Sequence, residues 1–230
     1  MDSAQSNAPT IFLARHGERL DFVDPTWHIT AERPDDAPLT RNGVSQAHAL
    51  GAALADRNIT HIFASPFQRS LQTASHASSQ LTRPVRLNVE PGLCEWLNEA
   101  WYAHSVNGPK WLQSNQIHAQ FPIINTDYQP VYPFSWNIDG YPELYHHLQQ
   151  RCSRTVATII DTVQRATPNQ QANILLVGHG SSLRALHTEL LPNIPPITIG
   201  YCALTECIAT PQATIKYRLG SFHCDQTFLP

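Results

Sequence analysis

The stretch Thr10–Arg19 constrains the fold of this chain most, because it joins an apolar, β-type run to a cluster of positive charge. The run predicts a buried strand that stops at Arg15-His16-Gly17. Ligands of an open α/β sheet bind beyond the carboxyl ends of its strands. We therefore expect Arg15 and His16 to lie where a substrate arrives, with Gly17 allowing a sharp turn or the close approach of a ligand oxygen.

A second strand ends in a similar way. Asn173–Val177 is strongly apolar, as a central parallel strand should be, and Gly178-His179-Gly180 follows it directly. A basic surface turn is the ordinary interpretation of either motif taken alone. Two strands that both end in histidine and glycine favour a shared site at one edge of the sheet.

The remaining chain alternates between helical and strand patterns, which predicts a three-layer α/β sandwich with a mostly parallel central sheet flanked by helices. Residues 20–38 are predicted to be a loop. The predicted helices run from the N-cap Thr40 to Leu54, over Phe67–Ser79, from Pro142 to Val163 and over Leu183–Leu191, and the further strands are Asn58–Ala64, Val85–Val89, Ala203–Ile208 and Ala213–Leu219.

Residues 1–230 are predicted to form one domain, since no linker or internal repeat interrupts the pattern. The periodicity fades over residues 97–141, which are rich in aromatic residues, proline and asparagine. Long irregular segments inside a domain are usually functional or disordered, and aromatic content argues against disorder. We interpret this segment as an insertion that packs over the site.

The net charge of −3 gives no general attraction to nucleic acid or to an anionic membrane. The five cysteines show no disulfide rhythm. Cys202 and Cys207, with His223-Cys224, raise the idea of zinc, but buried free thiols fit the spacing better. Without a signal-peptide pattern or a transmembrane run, we expect a cytoplasmic protein, with the nucleus as the alternative.

Two further residues complete a candidate site. Arg69 lies at the start of the second predicted helix, and Glu95 lies in the loop after the third strand. A helix arginine is usually solvated and a loop glutamate usually has no role. Their position at the same edge as His16 and His179 makes that explanation less satisfactory.

At this point the sequence resembles the histidine phosphatase superfamily, also called phosphoglycerate mutase-like. Its motifs occur in the family's order and cover most of the chain outside the insertion. They are Leu13–Arg19, Pro38–Gly43 with Gln46-Ala47, Ser65–Ser70 with Gln72-Thr73-Ala74, and Val177–Ser181. Arg15–Arg19 and Glu90–Trp96 look most similar to the branch of the T-cell signalling suppressor phosphatases, the ecdysteroid-phosphate phosphatase and a fungal RNA polymerase III initiation factor subunit.

The resemblance implies a metal-independent phosphomonoesterase that works through a phosphohistidine and needs no cofactor. His16 would be the nucleophile, and Glu95 would protonate the leaving oxygen. The phosphate would be bound by Arg15, Arg19, Arg69 and His179. Arginines suit this task, since phosphoryl transfer demands charge neutralisation more than covalent chemistry.

The segment after the nucleophile disfavours mutase activity, because Arg19-Leu20-Asp21-Phe22 replaces the mutase pattern. We expect a phosphorylated small molecule or phosphoprotein as substrate, with a bulky aromatic or apolar group attached to the phosphate. The sequence also leaves a homodimer open. The alternative hypothesis is an interaction module, a subunit of a larger assembly that keeps the fold with little catalysis.

Overall fold

The computed structural model describes residues 8–102, 108–133, 141–168, 170–195, 197–210 and 217–223. Within them, the strands form a six-stranded sheet in the order β3-β2-β4-β1-β5-β6. The strands are β1 (Thr10–Arg15), β2 (His61–Ala64), β3 (Leu87–Val89), β4 (Asn173–Gly178), β5 (Leu204–Ala209) and β6 (Tyr217–His223). Strands β1 to β4 pair in parallel, while β5 is antiparallel to β1 and β6 is antiparallel to β5.

Helices cover both faces of this sheet, so the three-layer α/β prediction is confirmed. They are α1 (Trp27–Thr30), α2 (Arg41–Leu54), α3 (Gln68–Ser78), α4 (Ser114–Gln120), α5 (Tyr145–Ala166) and α6 (Gly180–Leu190). The alternation of side chains along β1 places Ile11 and Leu13 against α5 and α6, and Phe12 and Ala14 against α2 and α3.

The register of the two central strands brings the predicted histidines together. Arg15 of β1 is the partner of Gly178 of β4 in the parallel ladder. The next residues, His16 and His179, therefore leave adjacent strands side by side, and the His16 N–H donates to the Gly178 carbonyl at 3.0 Å. The sheet thus places both imidazoles at its carboxyl edge.

Gly17 allows two segments of backbone to lie close together. Its φ lies outside the left-handed region, and a Cβ at this position would lie 2.6 Å from the carbonyl oxygen of Gly43 in α2. A Cβ at Gly43 would meet the Glu18 carbonyl oxygen at 2.3 Å. The pair lets α2 touch the turn after β1, and Thr40 caps the helix by accepting from the Gly43 N–H.

Several predicted boundaries were wrong. The loop predicted over residues 20–38 contains a 3₁₀ turn at Leu20–Phe22 and the short helix α1. Helix α5 begins after Pro142, and α6 begins before Leu183 because the chain turns into the helix directly after His179. Strand β6 continues past Leu219, and residues 211–216, where that strand was predicted to start, lie outside the described residues.

Parts of the aromatic segment 97–141 pack tightly onto the domain. Leu97, Tyr102 and Leu112 are buried. The buried carboxylate of Glu90 accepts hydrogen bonds from the Tyr128 hydroxyl at 2.6 Å and from two backbone N–H groups of residues 131 and 132. Residues 103–107 and 134–140 of this segment lie outside the described residues.

The four described cysteines, at positions 94, 152, 202 and 207, are free thiols, and Cys202 is only half-buried. Among the described residues, no three histidine, cysteine or acidic side chains are grouped as metal ligands would be. Within the same residues, no helix has the length and apolar character that crossing a membrane requires.

Candidate active site

A cavity of about 810 Å³ opens at the carboxyl edge of the sheet. Four of the six predicted site residues line it, namely Arg15, His16, Arg19 and Glu95. The other two, Arg69 and His179, have no exposed surface and lie deeper. The edge of the sheet therefore provides one concave site, with a second layer of charged or titratable groups behind its wall.

His16 is 2% exposed, and its Nδ1 lies 2.7 Å from the carbonyl oxygen of its neighbour Gly17. A carbonyl can only accept, so Nδ1 carries the proton and Nε2 has the free lone pair. Burial, reinforced by the charges of Arg69 and Arg15, holds the pKa of His16 well below its usual value. The imidazole is therefore neutral near pH 7, with a nucleophilic nitrogen available at Nε2.

His179 contacts His16 edge to face, with ring centroids 5.1 Å apart. Its Nε2 lies 2.7 Å from the Ser65 hydroxyl and 3.3 Å from the Ser70 hydroxyl. Burial and the charge of Arg69 hold the pKa of His179 well below its usual value. Two neutral imidazoles thus stand next to each other, and two serines fix the orientation of the deeper one.

Arg15 is held in place from two directions. Its NH1 donates to the Ile199 carbonyl at 2.7 Å, and its guanidinium lies 4.6 Å from the ring centroid of Tyr201. Its Nε is buried without a hydrogen-bond partner among the described residues. Burial lowers the pKa of Arg15 from its ordinary value.

Arg69 is fully buried, and its guanidinium stacks 4.3 Å from the Phe67 ring centroid. NH1 has one long contact of 3.5 Å to the Asp35 carbonyl, and Nε has no partner among the described residues. Burial, with the charge of Arg19 acting in the same direction, lowers the pKa of Arg69 to about 10. Buried guanidinium donors without acceptors are costly, and an anion at the site would satisfy them.

Arg19 differs from the other two arginines, because its guanidinium pairs with both carboxylate oxygens of Asp21. Its pKa is raised, since burial, which lowers it, is outweighed by the hydrogen bond and charge of Asp21. Arg19 also lies 4.8 Å over the Phe22 ring centroid. Its positive charge at the cavity wall is therefore largely balanced by a neighbouring carboxylate.

Glu95 is oriented by the start of α6. Its Oε1 accepts from the Ser181 N–H at 3.1 Å and from its own neighbour, the Trp96 N–H, at 2.9 Å. The first contact ties the loop after β3 to the helix that follows His179. Glu95 and His16 thus line the same cavity, although 79 positions separate them in the sequence.

Some features of the site were not predicted. Tyr201 lies against Arg15. Ser65 and Ser70 contact His179, and Asp21 pairs with Arg19. The segment 97–141 was predicted to pack over the site, and its residues Trp101 and Tyr102 line the cavity. The rim consists of Phe22, Trp101, Tyr102, Arg184, Ile197, Thr198 and Ile199, together with Gly180 and Ser181.

The model of the histidine phosphatase superfamily (branch 1) matches residues 11–212, and the chain belongs to that superfamily. The ecdysteroid-phosphate phosphatase of Drosophila melanogaster is 30% identical over 89% of this chain and 31% of its own length. The human ubiquitin-associated and SH3 domain-containing protein B is 30% identical over 78% of this chain and 31% of its own length.

A third relative is the transcription factor tau 55 kDa subunit of Saccharomyces cerevisiae, 30% identical over 79% of this chain and 41% of its own length. The chain therefore spans between 31% and 41% of the length of these three relatives. Among solved structures, the ecdysone phosphate phosphatase of Bombyx mori in complex with tungstate superposes with a TM-score of 0.70. It is 21% identical, and the match covers 93% of this chain and 92% of that one, which shows a shared fold.

Proposed function

We propose that the protein is a metal-independent phosphomonoesterase that works through a phosphohistidine at His16. One observation carries the proposal: a buried, neutral imidazole with a free Nε2 stands beside two arginines, Arg15 and Arg69, whose buried Nε donors have no acceptor among the described residues. A phosphate monoester supplies an electrophilic phosphorus for the imidazole and anionic oxygens for both guanidinium groups.

The reaction has two steps. Nε2 of His16 bonds to phosphorus as the ester P–O bond breaks, and Glu95 gives its proton to the departing alcohol oxygen. A water molecule then attacks phosphorus, Glu95 takes the proton from that water, and the P–N bond breaks. Inorganic phosphate and free His16 are the result, and the proton that Glu95 gives up in the first step is returned to it in the second.

Charge neutralisation in this scheme comes from protein side chains. Arg15 and Arg69 present preorganised donors in a buried site, where such interactions are stronger than in water. His179, which lies beside His16, binds the same phosphate. Arg19 contributes the guanidinium N–H donors that its ion pair with Asp21 does not use. We therefore assign phosphate binding to Arg15, Arg19, Arg69 and His179.

The apolar part of the cavity rim, which lies in the same lining as polar residues such as Arg184, favours a phosphate on a bulky aromatic or apolar group. Phe22 and Trp101 are 61% and 51% exposed, and Ile197 continues this apolar wall. An aromatic ring there adds stacking worth about 0.5–1.5 kcal/mol beyond burial. Phosphotyrosine and steroid phosphates fit this description, and the names of the insect relatives point to the second class.

The similarity to a transcription factor subunit favours a second candidate, an interaction module within a larger assembly. The two candidates differ in one observable property, which is turnover. We expect the purified protein to hydrolyse 4-nitrophenyl phosphate at an undiminished rate after treatment with a chelator, and the folded His16→Ala variant to be inactive. A folded, phosphate-binding protein without turnover would instead support the interaction module.

A further inference from the structure

The segment that carries Glu95 has no regular secondary structure of its own at that position. It follows a 3₁₀ turn at Pro91–Leu93 and crosses the surface of α5. A Cβ at Gly92 would lie 2.1 Å from the Thr155 hydroxyl oxygen, so the segment lies directly on that helix. The position of the Glu95 carboxyl in the cavity therefore depends on what holds this segment to α5.

Arg151 of α5 holds the first half of the segment. The side chain is 2% exposed, and its NH1 donates to the carbonyl oxygens of Gly92 and Cys94 at 2.9 and 3.1 Å. Its NH2 lies 3.3 Å from the carbonyl oxygen of Glu95 itself. One buried guanidinium thus contacts three backbone carbonyls of this segment, and the last of them belongs to Glu95, the proposed acid.

Glu143 holds the second half of the segment. Its Oε2 accepts from the Leu97 N–H at 3.2 Å, its own N–H donates to the Leu97 carbonyl at 2.9 Å, and its carbonyl accepts from Trp96 Nε1 at 2.9 Å. The same carboxylate pairs with Arg151 through two hydrogen bonds of 2.9 and 2.8 Å. The ion pair therefore clamps the backbone on both sides of Glu95.

A buried ion pair is weak evidence of a contribution to stability, because apolar residues of similar volume often stabilise a fold equally well. This ion pair contributes to geometry instead, because both of its residues hold the backbone next to Glu95. We propose that Arg151 and Glu143 are positioning residues for Glu95, holding its carboxyl where it meets the leaving oxygen. This inference rests on the proposed function, since it takes Glu95 to be the acid.

The test compares two substrates that differ in their need for an acid. Alkyl phosphates have a poor leaving group that requires protonation, whereas 4-nitrophenyl phosphate needs little help. For Arg151→Lys and for the double variant Arg151→Met/Glu143→Gln, we expect kcat with the alkyl phosphate to fall about 10- to 100-fold. We expect a much smaller fall with 4-nitrophenyl phosphate. The matched control is Arg154→Met, an exposed arginine on the same helix, which should leave both rates unchanged.

A further comparison separates positioning from a general loss of structure. Each variant is checked by circular dichroism and thermal unfolding, and Glu143→Gln serves as the milder change if the double variant does not fold. Added to Glu95→Gln, the Arg151→Lys change should alter the ratio of the two rates no further, because both act through one group.

If kcat of a folded variant falls by the same factor on both substrates, so that the ratio of the two rates is unchanged, the positioning role is overturned. A Glu95→Gln protein with a normal ratio would refute the acid role of Glu95 itself. The two failures are therefore distinguished by a single set of variants.

Discussion

The imidazole rings of His16 and His179 meet edge to face, with their centroids 5.1 Å apart, although 163 positions separate the two residues in the chain. The contact follows from the parallel register of β1 and β4, which aligns the residues just before each histidine. Both rings are buried, and the pKa of each is held well below its usual value, first by burial and then by the charge of Arg69.

These two histidines make stability depend on pH. Their pKa values are depressed in the folded state, so below about 6.5 the unfolded chain binds more protons and the free energy of unfolding falls as pH falls. We expect His179→Gln to reduce that slope by up to about 1.4 kcal/mol per pH unit. Urea unfolding at several pH values between 7.5 and 5 measures it. Identical slopes in the two proteins would show that His179 is not buried in its neutral form.

Arg15 and Arg69 should dominate phosphate affinity. Charge-assisted hydrogen bonds are worth about 1.5–3 kcal/mol, so we expect Arg15→Met and Arg69→Met each to raise the inhibition constant of inorganic phosphate about 10- to 150-fold. Arg41→Met, at an exposed position on α2, is the control and should leave this constant unchanged. Equal inhibition of the wild-type and Arg69→Met proteins would remove Arg69 from the phosphate site.

Replacement of the proposed acid should depend on the leaving group. We expect Glu95→Gln to lower kcat with an alkyl phosphate by about 10²–10⁴-fold, the usual range for general acid catalysis. The loss with 4-nitrophenyl phosphate should be much smaller, because that leaving group departs as a stable anion. A loss of the same size on both substrates would mean that Glu95 binds phosphate or supports the loop.

Substrate choice should follow the apolar part of the cavity rim. Because Phe22, Trp101 and Ile197 border the site, we expect a higher kcat/KM for phosphotyrosine than for 3-phosphoglycerate or phytate, measured in one buffer. Trp101→Ala should lower kcat/KM for phosphotyrosine about threefold to tenfold, equivalent to about 0.5–1.5 kcal/mol. A tenfold preference for either polyanion would refute the aromatic-pocket interpretation.

The sequence predicted the residues that depend on local pattern. An apolar run that stops at a histidine marks the end of a strand, and the carboxyl ends of parallel strands share one edge, so His16 and His179 could be placed together. The sequence motifs also identified Thr73, whose hydroxyl accepts from the Gly17 N–H at 3.0 Å, although without a role for it. The assignment of residues 1–230 to one domain stays a prediction.

The remaining features depend on contacts between distant segments, which have no signature in the sequence. The ring of Tyr201 under Arg15 and the serines at His179 arise from how loops meet at the sheet edge. The contacts of Arg151 with the segment that carries Glu95 were not predicted, because an arginine on a helix is usually solvated. This arginine is buried instead, and it donates to three backbone carbonyls. Tertiary packing, which local sequence patterns do not encode, thus determines how the predicted residues are held.

The most direct test of the proposed mechanism is to trap the phosphoenzyme. The protein is mixed with a ³²P-labelled monoester, denatured by rapid quenching, and divided between acidic and alkaline incubation before peptide mapping. Phosphate on His16 should be lost in acid and retained in alkali, and His16→Ala should carry no label. Label on a cysteine or serine, or full turnover by the folded His16→Ala protein, would contradict the mechanism.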